Sequence, residues 1–344
     1  MKNLLTLAML FSVFITYAQD TTSTEEQAPK KKFSLSGSVD GYFRQNLGGP
    51  NGEDAIAPNT SFANGNGFSL GMANVILAYE GKKVGAVADL VYGPRGEEAV
   101  FGSTPSNNIV NQLYVYWNVS DKVTLTFGNF NTFLGYEVIS PTGNFNYSTS
   151  YMFSYGPFSH TGLKMDWAVN DDWSLMAAIM NDNDLTDFNP TNNYTLGAQV
   201  GFKGTYLNFL YGPQFQVDLT TGFDITDSFY LGVNSTYYVD NDTDASFYGV
   251  AVYPQLKTSD SFVLGFRAEY FGEGDGGVGA IGGYDNDGDA NAFEFTLTGN
   301  YAIGDLMIIP EFRVDTTSED TFVDNDFEPT GSLTSFLIAA VYKF

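Results

Sequence analysis

Long runs in which apolar and polar residues alternate constrain the fold of this chain more than any other feature. Between residues 293 and 298 the sequence reads FEFTLT, and comparable runs recur from Phe33 to Phe344. Successive side chains of a β-strand point to opposite faces, so each run predicts a strand with one apolar and one polar face. The runs extend over about ten residues, which suits a tilted strand that crosses a bilayer better than the shorter strands of soluble sheets.

The connections between these runs alternate in length. Short turns such as 81–82 and 120–121 alternate with long links such as 46–66, 131–157 and 272–290. Barrels of the bacterial outer membrane have this arrangement, with short periplasmic turns and long extracellular loops. The sequence therefore predicts an all-β fold, a transmembrane antiparallel up-and-down β-barrel of about 16 strands, which forms one domain over residues 33–344.

The N-terminus predicts export. Lys2 precedes an apolar run over residues 4–15, and Ala18 follows as the last residue of a small-residue cleavage site. This pattern predicts a signal peptide at residues 1–18, because the run is too short to cross a bilayer as a helix. The polar residues 19–32 are expected to form a flexible periplasmic lead-in to the barrel.

Composition excludes several classes of function. The formal net charge is −25, and no basic stripe exists that could neutralise phosphates, so a nucleic-acid partner is excluded. The chain has no cysteine, which excludes a disulfide framework, a thiolate metal site and a cysteine nucleophile. No motif implies a cofactor.

The link over residues 131–157 differs from its acidic neighbours. It carries one charge, Glu137, and is rich in Tyr, Phe, Gly and Asn. Because it has enough aromatic area to pack against another surface, we expect this third long loop to fold into the barrel and narrow its lumen. Packing on the outer rim or on a neighbouring subunit is the alternative. The candidate constriction residues are Tyr136, Glu137, Asn144 and Tyr147.

Charged residues on the polar faces of the strands are expected to line the lumen. Ionised groups cannot face lipid cheaply, and rings of charge set the selectivity of pores. The alternative is that they join the wall together as salt bridges. The excess of acids favours cations. The candidates are Asp40, Arg44, Asp89, Lys164, Asp166, Lys203, Asp218, Arg267, Glu269, Glu294, Glu311 and Arg313.

Two further patterns carry weaker hypotheses. Asp285, Asp287 and Asp289 alternate in a Gly-rich loop, and such oxygens suit Ca²⁺, but the spacing departs from that of an EF-hand and favours an ordinary solvated loop. His160 follows Ser159, and adjacent strand residues point to opposite faces, so the two cannot form a catalytic dyad. We expect neither a bound metal nor an enzyme.

Two stretches carry a resemblance to a known family. They are Gly37–Phe43 (GSVDGYF) and the run from Asn129 to Gly162, which contains SPTGNFNYS at 140–148 and HTG at 160–162. Over most of its mature length the chain resembles the OmpL-like β-barrel porin family. The resemblance implies an outer-membrane channel and supplies no substrate and no residue roles.

The sequence thus predicts a porin in the outer membrane of a Gram-negative bacterium. Small hydrophilic solutes or ions would diffuse passively through a water-filled lumen. The expected partners are the lipid bilayer and these solutes, and both a homotrimer and a monomer are consistent with the sequence. The alternative is a surface binding or adhesion protein that uses the barrel as a scaffold for acidic extracellular loops.

Overall fold

The fold is a closed barrel of 16 antiparallel strands, as predicted. The structure is a computed structural model that describes residues 32–105 and 107–344. The predicted signal peptide at residues 1–18 lies outside the described residues. The predicted lead-in at 19–32 also lies outside them, except for Lys32, where the first strand begins.

Strands β1–β15 and the C-terminal strand β18 form the barrel wall, each hydrogen-bonded to its neighbours in sequence order. Their bounds are β1 Lys32–Asn46, β2 Gly67–Glu80, β3 Val84–Tyr92, β4 Val110–Ser120, β5 Val123–Asn131, β6 Ser159–Ala168, β7 Trp173–Asn181, β8 Tyr194–Phe202, β9 Thr205–Tyr211, β10 Gln214–Thr226, β11 Phe229–Asp240, β12 Ser246–Lys257, β13 Phe262–Gly274, β14 Ala290–Ile303, β15 Leu306–Thr317 and β18 Ser332–Lys343. Strands β16 (Phe322–Val323) and β17 (Pro329–Thr330) form a small separate hairpin.

Long and short connections alternate around most of the wall, as predicted, and the connection over residues 212–213 on the long side has only two residues. The long connections contain two short helices, α1 (Pro94–Ala99) and α2 (Tyr151–Tyr155), and 3-10 turns at Gly52–Asp54 and Pro141–Gly143. Among residues 32–105 and 107–344, no helix has the length and hydrophobicity needed to cross a membrane. The connections used below are L1 (47–66), L2 (93–109), L3 (132–158), L4 (182–193), L7 (275–289) and L8 (318–331).

The two faces of the wall have opposite polarity. Leu297 of β14 lies beside Phe266 of β13 and Phe312 of β15, and its side chain is 47% exposed on the outer face. Its chain neighbour Thr296 points inward and is fully buried. A soluble protein would bury the apolar face, so this inside-out arrangement requires an apolar solvent around the barrel.

Closure joins the last strand to the first. Strand β18 pairs with both β15 and β1, and the backbone of Phe344 exchanges two hydrogen bonds with Gly37 at 3.0 Å each. Closure leaves no edge strand, so every wall strand satisfies its backbone groups on both sides. This is the condition for crossing lipid with strands.

Candidate functional site in the barrel lumen

L3 begins and ends at two neighbouring strands. Asn131 at the end of β5 and Ser159 at the start of β6 are register partners, so the whole of L3 leaves and returns at one point of the wall. Its first residues, Phe133 and Leu134, pack on inward-facing apolar side chains that include Met180 of β7. At this end of L3, aromatic and aliphatic side chains of the loop therefore pack against the wall.

The loop then reaches β10 and β12. The backbone N–H of Gly135 donates to the carboxylate of Asp218 at 3.0 Å. The ring of Tyr136 stacks on that of Tyr253 with 4.2 Å between centroids. A Cβ atom at Gly232 would lie 2.6 Å from the Tyr136 ring, so this wall position accommodates the ring only as glycine.

An ionic cluster fixes the middle of the loop to β13. The guanidinium of Arg267 is fully buried and lies 2.6 Å from the carboxylate of Glu137 in L3 and 2.8 Å from that of Glu294 in β14. It also donates to the carbonyl of Ser148 at 2.7 Å. Strand β13 lies eight strands from β5 in the 16-strand ring, so L3 extends to the opposite wall of the lumen.

Two wall carboxylates hold the backbone of L3 rather than a cation. Glu311 of β15 accepts the N–H groups of Tyr147 and Ser148. Glu269 of β13 accepts those of Tyr151 and Met152 at 2.8 and 2.7 Å, at the start of α2. These N–H groups lack partners within the loop and are buried, so each carboxylate satisfies donors that would otherwise be costly to leave unpaired.

The remaining candidate loop residues complete this attachment. The hydroxyl of Tyr147 donates to Asp40 of β1, which also accepts the N–H of Met72 at 3.1 Å. Asn144 acts within the loop, since its side chain bonds both the N–H and the carbonyl of Val138, at 2.8 and 2.6 Å. L3 therefore has hydrogen-bonded contacts from β10 to β1.

Sequence reasoning missed Arg95, which supports L3 from L2. Arg95 lies in α1 and donates to the carbonyls of Ile139 and Tyr147 at 2.9 and 3.1 Å. Its guanidinium also lies 4.4 Å from the centroid of the Phe62 ring of L1. The sequence did contain a signal for this residue. Gly93-Pro94 is typical of the start of a helix, and Arg95, which follows it, is a basic residue in a loop whose other charged residues are acidic.

The other inward-facing candidates on β3, β6 and β15 pair within the wall. Asp89 accepts side-chain amides of Asn111 and Gln112 at 2.8 and 3.0 Å. Lys164 and Asp166 form an ion pair at 3.1 Å. The guanidinium of Arg313 lies 2.7 Å from Asp315 and 3.7 Å from Glu294. These contacts agree with the second use weighed from the sequence, side chains that join the wall together, and a role of these residues in ion selectivity stays a prediction.

The placement of Lys203 corrects one prediction. This residue lies in the turn between β8 and β9 with a backbone φ of +50°, not on the inward face of a strand. Its exposed ammonium is 3.6 Å from Asp172 of the preceding turn. Side chains alternate between the two faces only within a strand. Extending this alternation past the end of β8 wrongly assigned Lys203 to the lumen.

The acidic run over residues 285–289 of L7 folds as a turn. The carboxylate of Asp285 accepts the backbone N–H groups of Asp287 and Asp289 at 2.8 and 3.0 Å, which makes this run a hydrogen-bonded turn. Within residues 32–105 and 107–344, no group of three His, Cys, Asp or Glu side chains is arranged to hold a metal ion.

The Nε2 atom of His160 lies 3.0 Å from the hydroxyl of Thr132 at the start of L3.

Two narrow openings flank L3. The first lies between L1, L3 and the wall formed by β1, β15 and β18, and its polar lining is Arg44, Asn64, Ser148, Glu311, Arg313 and Ser335. We call it the Arg44 opening. The second lies between L3 and the wall formed by β10 and β11, and its polar lining is Gln216, Asp218, Asn234 and Thr236.

Asp184 of L4 predicts a pH-dependent attachment of the end of L3. Its carboxylate accepts the N–H groups of Phe158 and Ser159 at 2.7 and 2.9 Å, and burial raises its pKa to about 7. The unfolded carboxyl ionises near pH 4, so its contribution to stability decreases as the pH rises from about 4 to about 7. Between pH 4.5 and 8, the free energy of unfolding should fall by about 1–2 kcal/mol more for the wild type than for Asp184→Asn, allowing for partial solvent screening.

Urea unfolding of both proteins at the two pH values measures this difference. Asn keeps the acceptor oxygen and tolerates the positive φ of this position, 63°, so the substitution isolates the charge. Equal pH dependence of the two proteins would contradict the prediction.

A closed 16-stranded antiparallel barrel with an apolar exterior and a polar interior defines the class of bacterial outer-membrane channel proteins. The family model described as "Putative beta-barrel porin-2, OmpL-like" matches residues 32–344, and the chain belongs to this family. The protein is thus an outer-membrane porin of a Gram-negative bacterium. No curated protein matches the sequence.

Solved structures of other outer-membrane proteins share the fold. The anion-selective porin from Comamonas acidovorans has a TM-score of 0.60 at 9% identity, covering 92% of this chain and 100% of that chain. The outer-membrane channel DcaP of Acinetobacter baumannii has a TM-score of 0.58 at 13% identity, covering 94% and 100%. The trimer form of OmpT from Vibrio cholerae has a TM-score of 0.53 at 11% identity, covering 91% and 99%. At these identities the likeness concerns the fold alone.

Proposed function

We propose that this porin allows passive diffusion of small hydrophilic solutes or ions through a lumen that L3 narrows. The observation that carries the proposal is the path of L3, which leaves the wall at β5 and β6 and bonds to Arg267 eight strands away. A loop that crosses the lumen leaves solutes only the space beside it. The gradient of the solute drives the flow, and no cofactor takes part.

The contacts of L3 support a fixed constriction rather than a mobile lid. Glu269 and Glu311 each accept two backbone N–H groups of the loop, and Glu137 is held by a fully buried guanidinium. Releasing the loop would leave these groups unpaired inside the barrel, which is costly. Solutes would therefore pass beside L3 without displacing it.

The homotrimer is the assembly we favour over the monomer. Its support is the trimer form of Vibrio cholerae OmpT, which has the same barrel fold. Chemical cross-linking of the folded protein in detergent would give a ladder that ends at three copies. A ladder that stops at one copy would contradict the trimer.

Replacing L3 tests the constriction directly. Because Asn131 and Ser159 are register partners, a hairpin turn of about four residues can join β5 to β6 in place of residues 132–158. Planar-bilayer recordings of the mature chain are expected to show stable steps, and the loop-replaced barrel should conduct about two to five times more, since the opened lumen has a larger cross-section.

L8 offers the matched control. Thr316 and Ser332 are also register partners, so residues 317–331 can be replaced in the same way. Among the described residues, L8 bonds to Ile281 of L7, and no hydrogen bond joins it to L3. Its replacement should leave conductance near the wild-type value. Equal steps with and without L3 would refute the constriction, and a folded barrel without steps would favour the surface-binding alternative.

A further inference from the structure

We propose that the Arg44 opening is a binding site for a chloride-sized monoanion, either a halide or the end of a carboxylate group. This inference deepens the proposed function, because it assigns a class of solute to one side of L3. Binding of the anion does not require that the barrel conducts. Only a role of the site in permeation rests on the proposed channel function.

Arg44 is a buried cation with unused donors. The residue is 3% exposed, and its Nη1 atom donates to the carbonyl of Ile56 in L1 at 3.1 Å. Within the part of the chain that the structure describes, its Nη2 atom has no hydrogen-bond partner among protein atoms. A guanidinium has five N–H donors in a fixed plane, and a buried charged donor without an acceptor is costly. An anion in the opening would supply the missing acceptor.

The other buried arginines are compensated by the protein. Arg267 contacts Glu137 and Glu294, and Arg313 contacts Asp315. Arg95 also has an unbonded Nη2 atom, but its guanidinium faces aromatic rings, which attract a cation through their π-electrons. No ion pair between Arg44 and a carboxylate occurs within residues 32–105 and 107–344. Its positive charge is therefore the one available to a ligand at this opening.

The acids near the opening are already engaged. Glu311 accepts the N–H groups of Tyr147 and Ser148 and the hydroxyl of Thr298, the last two at 3.0 Å each. Asp315 is bound by Arg313 through both carboxylate oxygens. Arg313 compensates the charge of Asp315, and the N–H and O–H dipoles around Glu311 partly screen its charge, which lowers the repulsion of an anion beside Arg44. The rest of the polar lining, Asn64, Ser148 and Ser335, is uncharged.

The size of the opening selects the ligand. It has space for a ligand about as large as one water molecule. A chloride ion is only slightly larger than a water molecule and a carboxylate can present one oxygen atom to this space, whereas phosphate and sulfate carry four oxygen atoms. The chemistry that fits is one negative charge presented to the free edge of the Arg44 guanidinium.

Chloride binding can be measured without any ionic current. The ³⁵Cl NMR line of a chloride solution broadens when chloride exchanges with a protein site, and the folded full mature chain in detergent is expected to broaden it. Arg44→Gln removes the charge but keeps a side-chain amide that can bond the Ile56 carbonyl, and the protein-dependent broadening should fall about fivefold. Lys203→Gln removes the same charge from an exposed turn and should leave the broadening unchanged.

A second variant keeps Arg44 intact. Ser335 is 4% exposed and lines the opening, so Ser335→Asp would give Arg44 an internal carboxylate partner and should lower the broadening as Arg44→Gln does. Heat-modifiable migration on SDS gels verifies that each variant is folded. Wild-type broadening in folded Arg44→Gln or Ser335→Asp would overturn the inference. Competition by acetate would assign the site to carboxylates, and its failure would assign it to halides.

Reversal potentials in a KCl gradient then separate this inference from the proposed function. The permeability ratio of chloride to potassium should fall about threefold in Arg44→Gln and stay unchanged in Lys203→Gln. A barrel that broadens the chloride line but does not conduct would refute the channel and leave the binding site standing. A conducting barrel with equal broadening and equal permeability ratios in wild type and Arg44→Gln would refute the binding site alone.

Discussion

Replacing Arg267 with methionine is expected to destabilise the folded barrel by about 3–5 kcal/mol and to loosen the attachment of L3 to the opposite wall, where Glu269 still accepts the N–H groups of Tyr151 and Met152. Methionine has an apolar side chain without the guanidinium, so Glu137 and Glu294 would lose the cation that lies 2.6 and 2.8 Å from their oxygens. The carbonyl of Ser148 would lose a donor as well. Urea unfolding in liposomes measures the stability, and the single-channel conductance should rise toward that of the loop-replaced barrel.

Two further variants interpret the result. Glu294 keeps Arg313 at 3.7 Å, so Glu137 is the carboxylate left without a cation, and Glu137→Gln in the Arg267→Met background should restore part of the lost stability. Lys164→Met removes a lysine that pairs with Asp166 in a partly exposed site, and should cost about 1 kcal/mol or less. Wild-type stability and conductance in Arg267→Met would show that the ionic cluster does not hold L3.

The strands of the barrel wall could be predicted from the sequence because each strand is specified by residues that are close together in the chain. A strand repeats every two residues, so the alternation of Phe and Leu with Glu and Thr in β14 gives the element and both of its faces. Alternating connection lengths then give the antiparallel order. Lys203 shows the limit of this reasoning, since parity has no meaning once the chain enters a turn.

The partners of inward-facing residues could not be predicted in the same way. The alternation along a strand correctly places Glu269 and Glu311 on the inner face of the barrel, but it does not identify the groups that they contact. Their partners, the N–H groups of L3, lie more than 100 positions away in the chain. Arg95 was missed for the same reason, because its contacts with Ile139 and Tyr147 depend on how two loops fold over each other.

This difference also changes how the acid excess is interpreted. From the sequence, the surplus of inward carboxylates favours cations. In the structure, Glu269 and Glu311 accept backbone donors of L3, and Glu273 does the same for Val278, Ala280 and Ile281 of L7. A carboxylate that is occupied in this way holds a loop, and the N–H dipoles around it partly screen its charge from a solute. A count of inward charges therefore does not by itself predict the ion preference, because it leaves out which charges already have partners.

Placing a charge on the outer face is expected to have the second large effect. Leu297 lies midway along β14, with Phe266 and Phe312 beside it, and its side chain is 47% exposed on the apolar exterior. Leu297→Arg should destabilise the barrel in liposomes by about 2–4 kcal/mol, because an arginine near the bilayer midplane must be desolvated or deform the bilayer. Urea unfolding of the liposome-embedded protein, followed by heat-modifiable migration, measures this loss.

The matched control places the same charge outside the bilayer. Ser259 lies in the exposed turn between β12 and β13, and Ser259→Arg should change the stability by about 0.5 kcal/mol or less. Leu297→Ala separates the loss of the leucine from the presence of the charge and should cost less than Leu297→Arg. If Leu297→Arg behaved like Ser259→Arg, the outer face at β14 would be in contact with water or with another protein subunit. That outcome would remove lipid from this part of the wall and would direct attention to the outer face of β14 as a subunit interface.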